Sequence, residues 1–298
     1  MEPAGLLLLD KPAGFSSTQA LARAKRFLAA RKGGHTGTLD PFATGLLPLV
    51  FGEATKFSRF LIDSEKSYLA TLKLGMESTT GDTEGEIVSR GAVSVTDAQV
   101  EAALARFRGA QEQTPPMHSA VRIDGRRLYE HARAGREIER AARAVEVTRL
   151  EACSREGDEL RIAVTCSKGT YVRTLAADIG RALGCGAYLI ALRRTAVGPF
   201  RLEEAVTLGQ LEAAGPEVAQ AFLRPLEVLV EGLPRWDSPA EEAGRFAHGQ
   251  VVACPGAAPG AEIALFAPGG RFVGVGRCEE SGRLAPLRLL AGAAAEIP

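Results

Sequence analysis

The five cysteines (Cys153, Cys166, Cys185, Cys254 and Cys278) form no C-x-x-C pair, and the four histidines are equally dispersed. This scatter excludes the common zinc spacings and a disulfide framework, and it reads as a reduced, cytoplasmic chain with no metal centre. Long hydrophobic runs are missing as well. The run Leu6 to Leu9 stops at Asp10, too short for a membrane span or the core of a signal peptide. Neither sign of charge prevails, with 36 Lys plus Arg against 36 Asp plus Glu and a formal net charge of zero. Bulk electrostatics therefore points to no nucleic-acid partner, although a local basic surface would be enough to hold phosphates. The stretch 33–38 (GGHTGT) lacks the Gly-Lys-Ser/Thr ending of a phosphate loop, which argues against nucleotide hydrolysis. No internal repeat and no regular βαβ rhythm appear, so a doubly wound parallel sheet is not expected.

What is present fits a soluble α+β protein. With 298 residues, 46% hydrophobic and 24% charged, the chain can bury one large core and a smaller one. Residues 5–10 (GLLLLD) read as a buried strand, after which 11–14 (KPAG) turn the chain. Ser16 followed by Gln19 predicts a capping box, opening a helix whose apolar face is Leu21, Ala24, Phe27 and Leu28, with Gly33 and Gly34 at its end. Thr96 with Gln99 repeats the signature ahead of Val100, Ala103, Leu104 and Phe107. Alternation at Leu160, Ile162, Val164 and Cys166 predicts a half-buried strand, and a short turn then leads to a helix with apolar positions Val172, Leu175, Ala176 and Ile179. Beyond about residue 234 short β-rich runs joined by glycine turns predict a small β-barrel or sandwich. The expected division is thus a larger domain over 1–234 and a smaller domain over 235–298, with the alanine-rich stretch 291–295 as a frayed tail.

Acids are scarce in one informative place. Between Asp10 and Glu53 the only carboxylate is Asp40, set among glycines and threonines in 34–45 (GHTGTLDPFATG) and followed by the apolar run 46–51. Such a loop can hold an acid rigidly at the floor of a cleft, and a site built there has a single carboxylate to work with. Alone, an Asp before Pro is most often a turn former. Basic residues concentrate in two segments. Arg23, Lys25, Arg26, Arg31 and Lys32 lie in 21–35 with no acid among them, and a second set around Arg126 and Arg127 extends to Arg143. These are ordinary solvated faces or phosphate contacts.

Five blocks, in order from residue 5 to about 200, resemble the TruB family of pseudouridine synthases. They are 7–17 (LLLDKPAGFSS); 35–45 with its continuation 52–56 (GEATK); 113–120 (QTPPMHSA) with 125–130 (GRRLYE); 166–173 (CSKGTYVR); and 192–195 (LRRT). The resemblance implies a pseudouridine synthase catalytic fold, a mixed sheet with flanking helices, carrying a small PUA-like β-barrel at the C-terminus. It implies isomerisation of uridine in the TΨC loop of tRNA, at the position conventionally numbered 55. The family's catalytic aspartate falls on Asp40, its base-stacking tyrosine on Tyr68, and the arginine paired with the aspartate on Arg173, with Tyr171 beside it. Leu192 matches a pocket residue, His35 a histidine that holds the flipped RNA, and Lys11 and Pro12 residues supporting the catalytic loop. Where the family carries Thr-Asp-Thr after Gly75, this chain reads 77–85 as ESTTGDTEG, so Asp82 and Glu84 are given no role.

The chemistry suits a lone carboxylate. The base must be cut from C1′ and rejoined through C5, so no atoms are lost and no cofactor is needed, whereas glycoside hydrolases use a second carboxylate to activate water. One ionised Asp can attack C1′ or take a proton from C2′. Arg173 beside it is expected to lower its pKa. A uridine stacked in an RNA loop must be flipped out, at a cost of a few kcal/mol, of which stacking on Tyr68 returns about 1–3 kcal/mol. Arg23, Lys25, Arg26, Lys32, Arg126 and Arg127 are the candidate backbone contacts, with the shape of the T-arm supplying specificity. The expected protein is a cytoplasmic monomer that binds tRNA, without guide RNA, membrane or metal. An RNA-folding protein of little activity and a guide-dependent synthase subunit are the alternatives.

Overall fold

The computed structural model describes residues 2–293 except 120, 124, 254 and 255; Cys254, the acid at 124 and residues 294–295 of the expected tail lie outside the described residues. A ten-stranded mixed sheet forms the larger part. Its strands are β1 (Gly5–Lys11), β2 (Gly33–His35), β3 (Thr44–Phe51), β4 (Lys66–Leu74), β5 (Gly109–Gln113), β6 (Arg143–Glu156), β7 (Glu159–Cys166), β8 (Ala187–Val197), β9 (Phe200–Arg201) and β10 (Val206–Thr207). The main path runs β10-β1-β3-β8-β4-β7-β6-β5, with β2 on β3 and β9 on β8. Helices α1 (Ser17–Phe27), α2 (Asp97–Ala105), α3 (Val172–Ala182) and α4 (Leu208–Ala219) accompany it.

The unbroken leucine run of β1 follows from its place inside the sheet. Successive side chains point to opposite faces, so Leu7 and Leu9 enter one apolar cluster, with α1 and α3, while Leu6 and Leu8 enter another. The same alternation on β3 sends Leu47, Leu49 and Phe51 to the first cluster and Leu46 and Val50 to the second. A strand covered on both faces has no polar face to show, hence no alternating pattern.

Both expected capping boxes form, Ser16 with Gln19 and Thr96 with Gln99. The first helix, however, ends at Phe27; Ala29 takes a left-handed φ of 53°, and Lys32 lies beyond the helix. Gly33 and Gly34 are not its terminus but part of β2. A Cβ on Gly33 would stand 3.0 Å from the Phe51 ring, so glycine lets this edge strand lie against β3.

The second cluster is shared with the C-terminal part. There β11 (Arg235–Asp237), β12 (Val252–Ala253), β13 (Glu262–Ala267), β14 (Arg271–Cys278) and β15 (Arg283–Leu289) pair in the order β11-β13-β14-β15-β12, with helix α5 (Ala240–Ala247) against them. Among the described residues this path curls into a half-barrel, which fits the expected PUA-like domain. Phe266, Phe272 and Val275 pack with Leu6, Leu8, Val50 and Phe57 across the junction, and the Phe57 and Phe272 rings meet edge to face at 5.2 Å.

Candidate active site

The Asp40 loop joins β2 to β3 and is held on both sides of the aspartate. Ahead of it, Ser17 Oγ donates to Leu39 O (3.0 Å) and accepts from Leu39 N (2.8 Å). Behind it, Pro41 O accepts from Gly14 N (2.8 Å) and from Lys11 Nζ (3.4 Å). Lys11 is fully buried, and its ammonium also donates to the carbonyls of Pro12 (2.9 Å) and Phe15 (2.7 Å). Burial lowers its pKa to about 8, partly opposed by Asp40. The turn after β1 thus meets the loop through the Lys11 ammonium and the Gly14 N–H, while Pro12 O accepts from that same ammonium.

Arg194 closes the loop from beneath. Its side chain is buried, and it donates to the carbonyls of Leu46 (2.6 Å), Gly37 (3.1 Å) and Thr38 (3.5 Å). The register that brings it there is the parallel pairing of Arg194 with Gly45. At Gly45 φ is +100°, and a Cβ would lie 2.3 Å from Arg194 O, so only glycine fits. Across the antiparallel β4–β8 pair, Arg194 is opposite Tyr68. The Tyr68 phenol is pushed up in pKa by burial and lies against the Arg194 guanidinium. Leu192, Leu39 and Ala43 are buried in the same apolar cluster against which Tyr68 packs.

Asp40 meets Arg173 as expected, Oδ2 to Nε at 3.0 Å; the aspartate is 33% exposed, the arginine 5%. Arg173 is on the first turn of α3 yet faces inward. Its Nη1 donates to Thr80 O (2.9 Å) and stands 3.4 Å from Asp82 Oδ2, and its Nη2 donates to His118 O (2.6 Å). Asp82, given no role from sequence, is therefore the second carboxylate on Arg173. It is nearly fully buried and oriented by Thr80 Oγ1 (2.5 Å) and Glu84 N (3.0 Å). An Asp in a Thr-Thr-Gly-Asp turn was the available signal, but nothing local linked it to an arginine so far along the chain.

The expected fall in the Asp40 pKa is reversed. Burial pushes the carboxyl above its ordinary range; Arg173 and Lys11 pull it down, Asp82 pushes it up, and burial prevails. A cation at 3.0 Å does not compensate fully because Arg173 divides its charge between two carboxylates.

His35, on β2, carries a pKa lowered by burial and by the Arg194 and Arg127 charges, which keeps its imidazole neutral. Its Nδ1 is buried and has no hydrogen-bond partner among the described residues. Tyr171 precedes α3 as its N-cap. Arg126 and Arg127 are exposed on a small hairpin with Arg122–Ile123. Arg23 and Arg26 are exposed on α1, where Arg23 lies 4.8 Å over the Phe15 ring; Lys25 is half-buried and Lys32 exposed.

Residues 25–172 match the TruB family pseudouridylate synthase (N terminal domain), 173–231 the tRNA pseudouridylate synthase B C-terminal domain, and 239–290 the family described as Pseudouridine synthase II TruB, C-terminal. The tRNA pseudouridine synthase B of Aromatoleum aromaticum is 54% identical over 286 residues, covering 96% of this chain and 92% of that protein. The chain belongs to the TruB family. The protein of the same name from Burkholderia mallei is 52% identical over 292 residues, with 96% of each chain covered. Among solved structures, a Cbf5-Nop10-Gar1 complex matches with a TM-score of 0.73 and 27% identity, over 96% of this chain and 84% of that one. An H/ACA RNP bound to a substrate RNA containing 2′-deoxyuridine matches at 0.73 and 26%, with the same coverage. The large mixed sheet and its flanking helices are thus the pseudouridine synthase fold expected of the TruB family.

Proposed function

We propose that this protein isomerises uridine to pseudouridine in tRNA, at position 55 of the TΨC loop, with Asp40 as the catalytic residue. One observation carries the reading. A single partly open carboxylate is held in a rigid loop at 3.0 Å from an arginine that is otherwise enclosed. In the reaction the N1–C1′ bond breaks, the uracil turns, a C5–C1′ bond forms, and the proton lost from C5 is balanced by one gained at N1. Atoms and electrons balance without a cofactor. Arg173 holds the Asp40 carboxylate in line with the sugar, and Tyr68 stacks on the flipped base within the wall formed with Leu192 and Tyr171. Neutral His35, with its unpartnered Nδ1, occupies the space the base leaves. Lys11 and Pro12 hold the loop. Arg23, Lys25, Arg26, Lys32, Arg126 and Arg127 contact the RNA backbone.

The protein works as a cytosolic monomer without a guide RNA. For action on tRNA, the relatives named tRNA pseudouridine synthase B, at 52–54% identity, weigh more than the solved Cbf5-Nop10-Gar1 and H/ACA RNP complexes at 26–27%. No helix among the described residues is long and apolar enough to cross a membrane. We place the division between the catalytic part and the PUA-like RNA-contacting part at 234/235. The test is to incubate the purified protein alone with an unmodified tRNA transcript and map pseudouridine by chemical probing. One pseudouridine in the T-loop, absent with Asp40→Asn, is the expected outcome; modification that survives in the variant overturns the assignment.

A further inference from the structure

We infer that Gln113 is a positioning residue of this active site, acting through Tyr171 and Arg173; this rests on the reading of Asp40 and Arg173 given above. Gln113 is the last residue of β5 and is 5% exposed, although the rest of that strand is mostly open to solvent. Its amide makes a matched pair of bonds to one backbone residue. Oε1 accepts from Tyr171 N (2.7 Å), and Nε2 donates to Tyr171 O (3.2 Å). A primary amide bound in this way reproduces one rung of a β-ladder, fixing both the place and the tilt of the peptide it holds.

Tyr171 is where this matters. It is the N-cap of α3, and no side chain of its own caps the helix. Its carbonyl also accepts the first helical bond, from Leu175 N at 3.0 Å. Gln113 therefore determines where α3 begins and how its first turn is aimed. Arg173 lies in that turn, with its guanidinium divided among Asp40, Asp82, Thr80 O and His118 O. A side chain held at so many points cannot re-aim when its backbone moves. Displacing the start of α3 draws Nε away from Asp40. A buried amide is costly unless both of its ends are bonded, and an apolar side chain would fill the same space without orienting anything. The clamp also sits where the arm 114–142 leaves the sheet, since Gln113 pairs with Arg143 at the arm's return.

The experiment is single-turnover pseudouridine formation on a tRNA transcript across pH, with tRNA binding measured alongside. The variants are Gln113→Ala, Gln113→Glu, Arg173→Lys and the Gln113→Ala/Arg173→Lys double. Gln113→Ala is expected to react about tenfold or more slowly, as small misplacements of reacting groups cost, with tRNA affinity within about twofold of the parent. Its acid limb moves to higher pH, because a less engaged Arg173 leaves burial to dominate the Asp40 carboxyl. Gln113→Glu keeps the acceptor for Tyr171 N and falls in between. The double variant reacts within about twofold of Arg173→Lys alone, the mark of two residues acting through one contact. If the alanine variant does not fold, the glutamate variant enters the same cycle with the same expectation. A parental rate for the Gln113 variants, or losses that multiply with Arg173→Lys while the pH profile stays fixed, overturns the proposal. Asp40→Asn separates the two levels. Its activity would sink the reading of the site itself, whereas its inactivity beside a parental Gln113→Ala rate sinks only the role of Gln113.

Discussion

At the residue scale, the role proposed for Asp40 needs an anion in surroundings that disfavour anions. A carboxyl whose pKa in the fold lies above its unfolded value of about 3.9 destabilises the protein at pH values above both, and the cost disappears below both. The Asp40 carboxyl is shifted upward in this way. Asp40→Asn is therefore expected to melt at a higher temperature than the parent at pH 7.5, with the gap closing as pH falls through the raised pKa towards about 4. Thermal unfolding at the two pH values checks this; a lower melting temperature at neutral pH would mean that the ion pair outweighs burial. Asp82 shares Arg173 with Asp40, so Asp82→Asn loosens the guanidinium without touching RNA. Its kcat should fall about 10–100-fold with unchanged tRNA affinity, measured by single-turnover kinetics and filter binding.

At the element scale, the loop between β2 and β3 is the unit that presents the carboxylate. Ser17 and Lys11 brace it on either side of Asp40, and Arg194 from beneath. Its closure on β8 depends on Gly45, where an added Cβ meets a backbone oxygen at 2.3 Å with φ at +100°. Gly45→Ala should destabilise the protein by about 2–5 kcal/mol, combining backbone strain with overpacking, as read from urea unfolding, and should reduce activity even where the protein remains folded. The elements around this loop were unequally legible. The capping boxes of α1 and α2 rest on residues three apart and could be read directly. The end of α1 and the strand β2 could not, because they depend on Gly33 approaching the Phe51 ring from another strand.

At the scale of the whole molecule, the two sheets share one apolar cluster rather than meeting at a wet boundary. Polar contacts add to it. Lys56 donates to Leu289 O (3.0 Å), Ala291 N donates to Glu53 (2.7 Å), and Arg59 pairs with Glu262. Phe272 is 1% exposed in that cluster. Phe272→Ala is expected to cost about 3–5 kcal/mol and to lower the melting of the catalytic sheet together with the C-terminal one. Calorimetry showing an unmoved transition for the catalytic part would contradict a shared core. Binding of tRNA belongs to this scale as well. Removing Arg126 and Arg127 together should flatten the dependence of log K on log salt by about 1–2 units, measured by filter binding over a salt series.

The sequence by itself determined the carboxylate, the rigidity of its loop, the buried first strand, the helix caps and the order of the blocks that mark the TruB family. These are carried by neighbours: residues three or four apart on a helix, alternate residues on a strand, and glycine and proline at turns. Only the tertiary structure decided that Asp82 is the second partner of Arg173, that Arg194 lies beneath the loop, and that Gln113 grips Tyr171 from 58 positions away. It also decided the direction of the Asp40 pKa, which the charge of a nearby arginine alone would give the wrong sign. The reason is common to all of these. Strand pairing and burial bring together groups whose separation along the chain carries no periodic signal, and the electrostatics of a buried site depends on everything that displaces water from it.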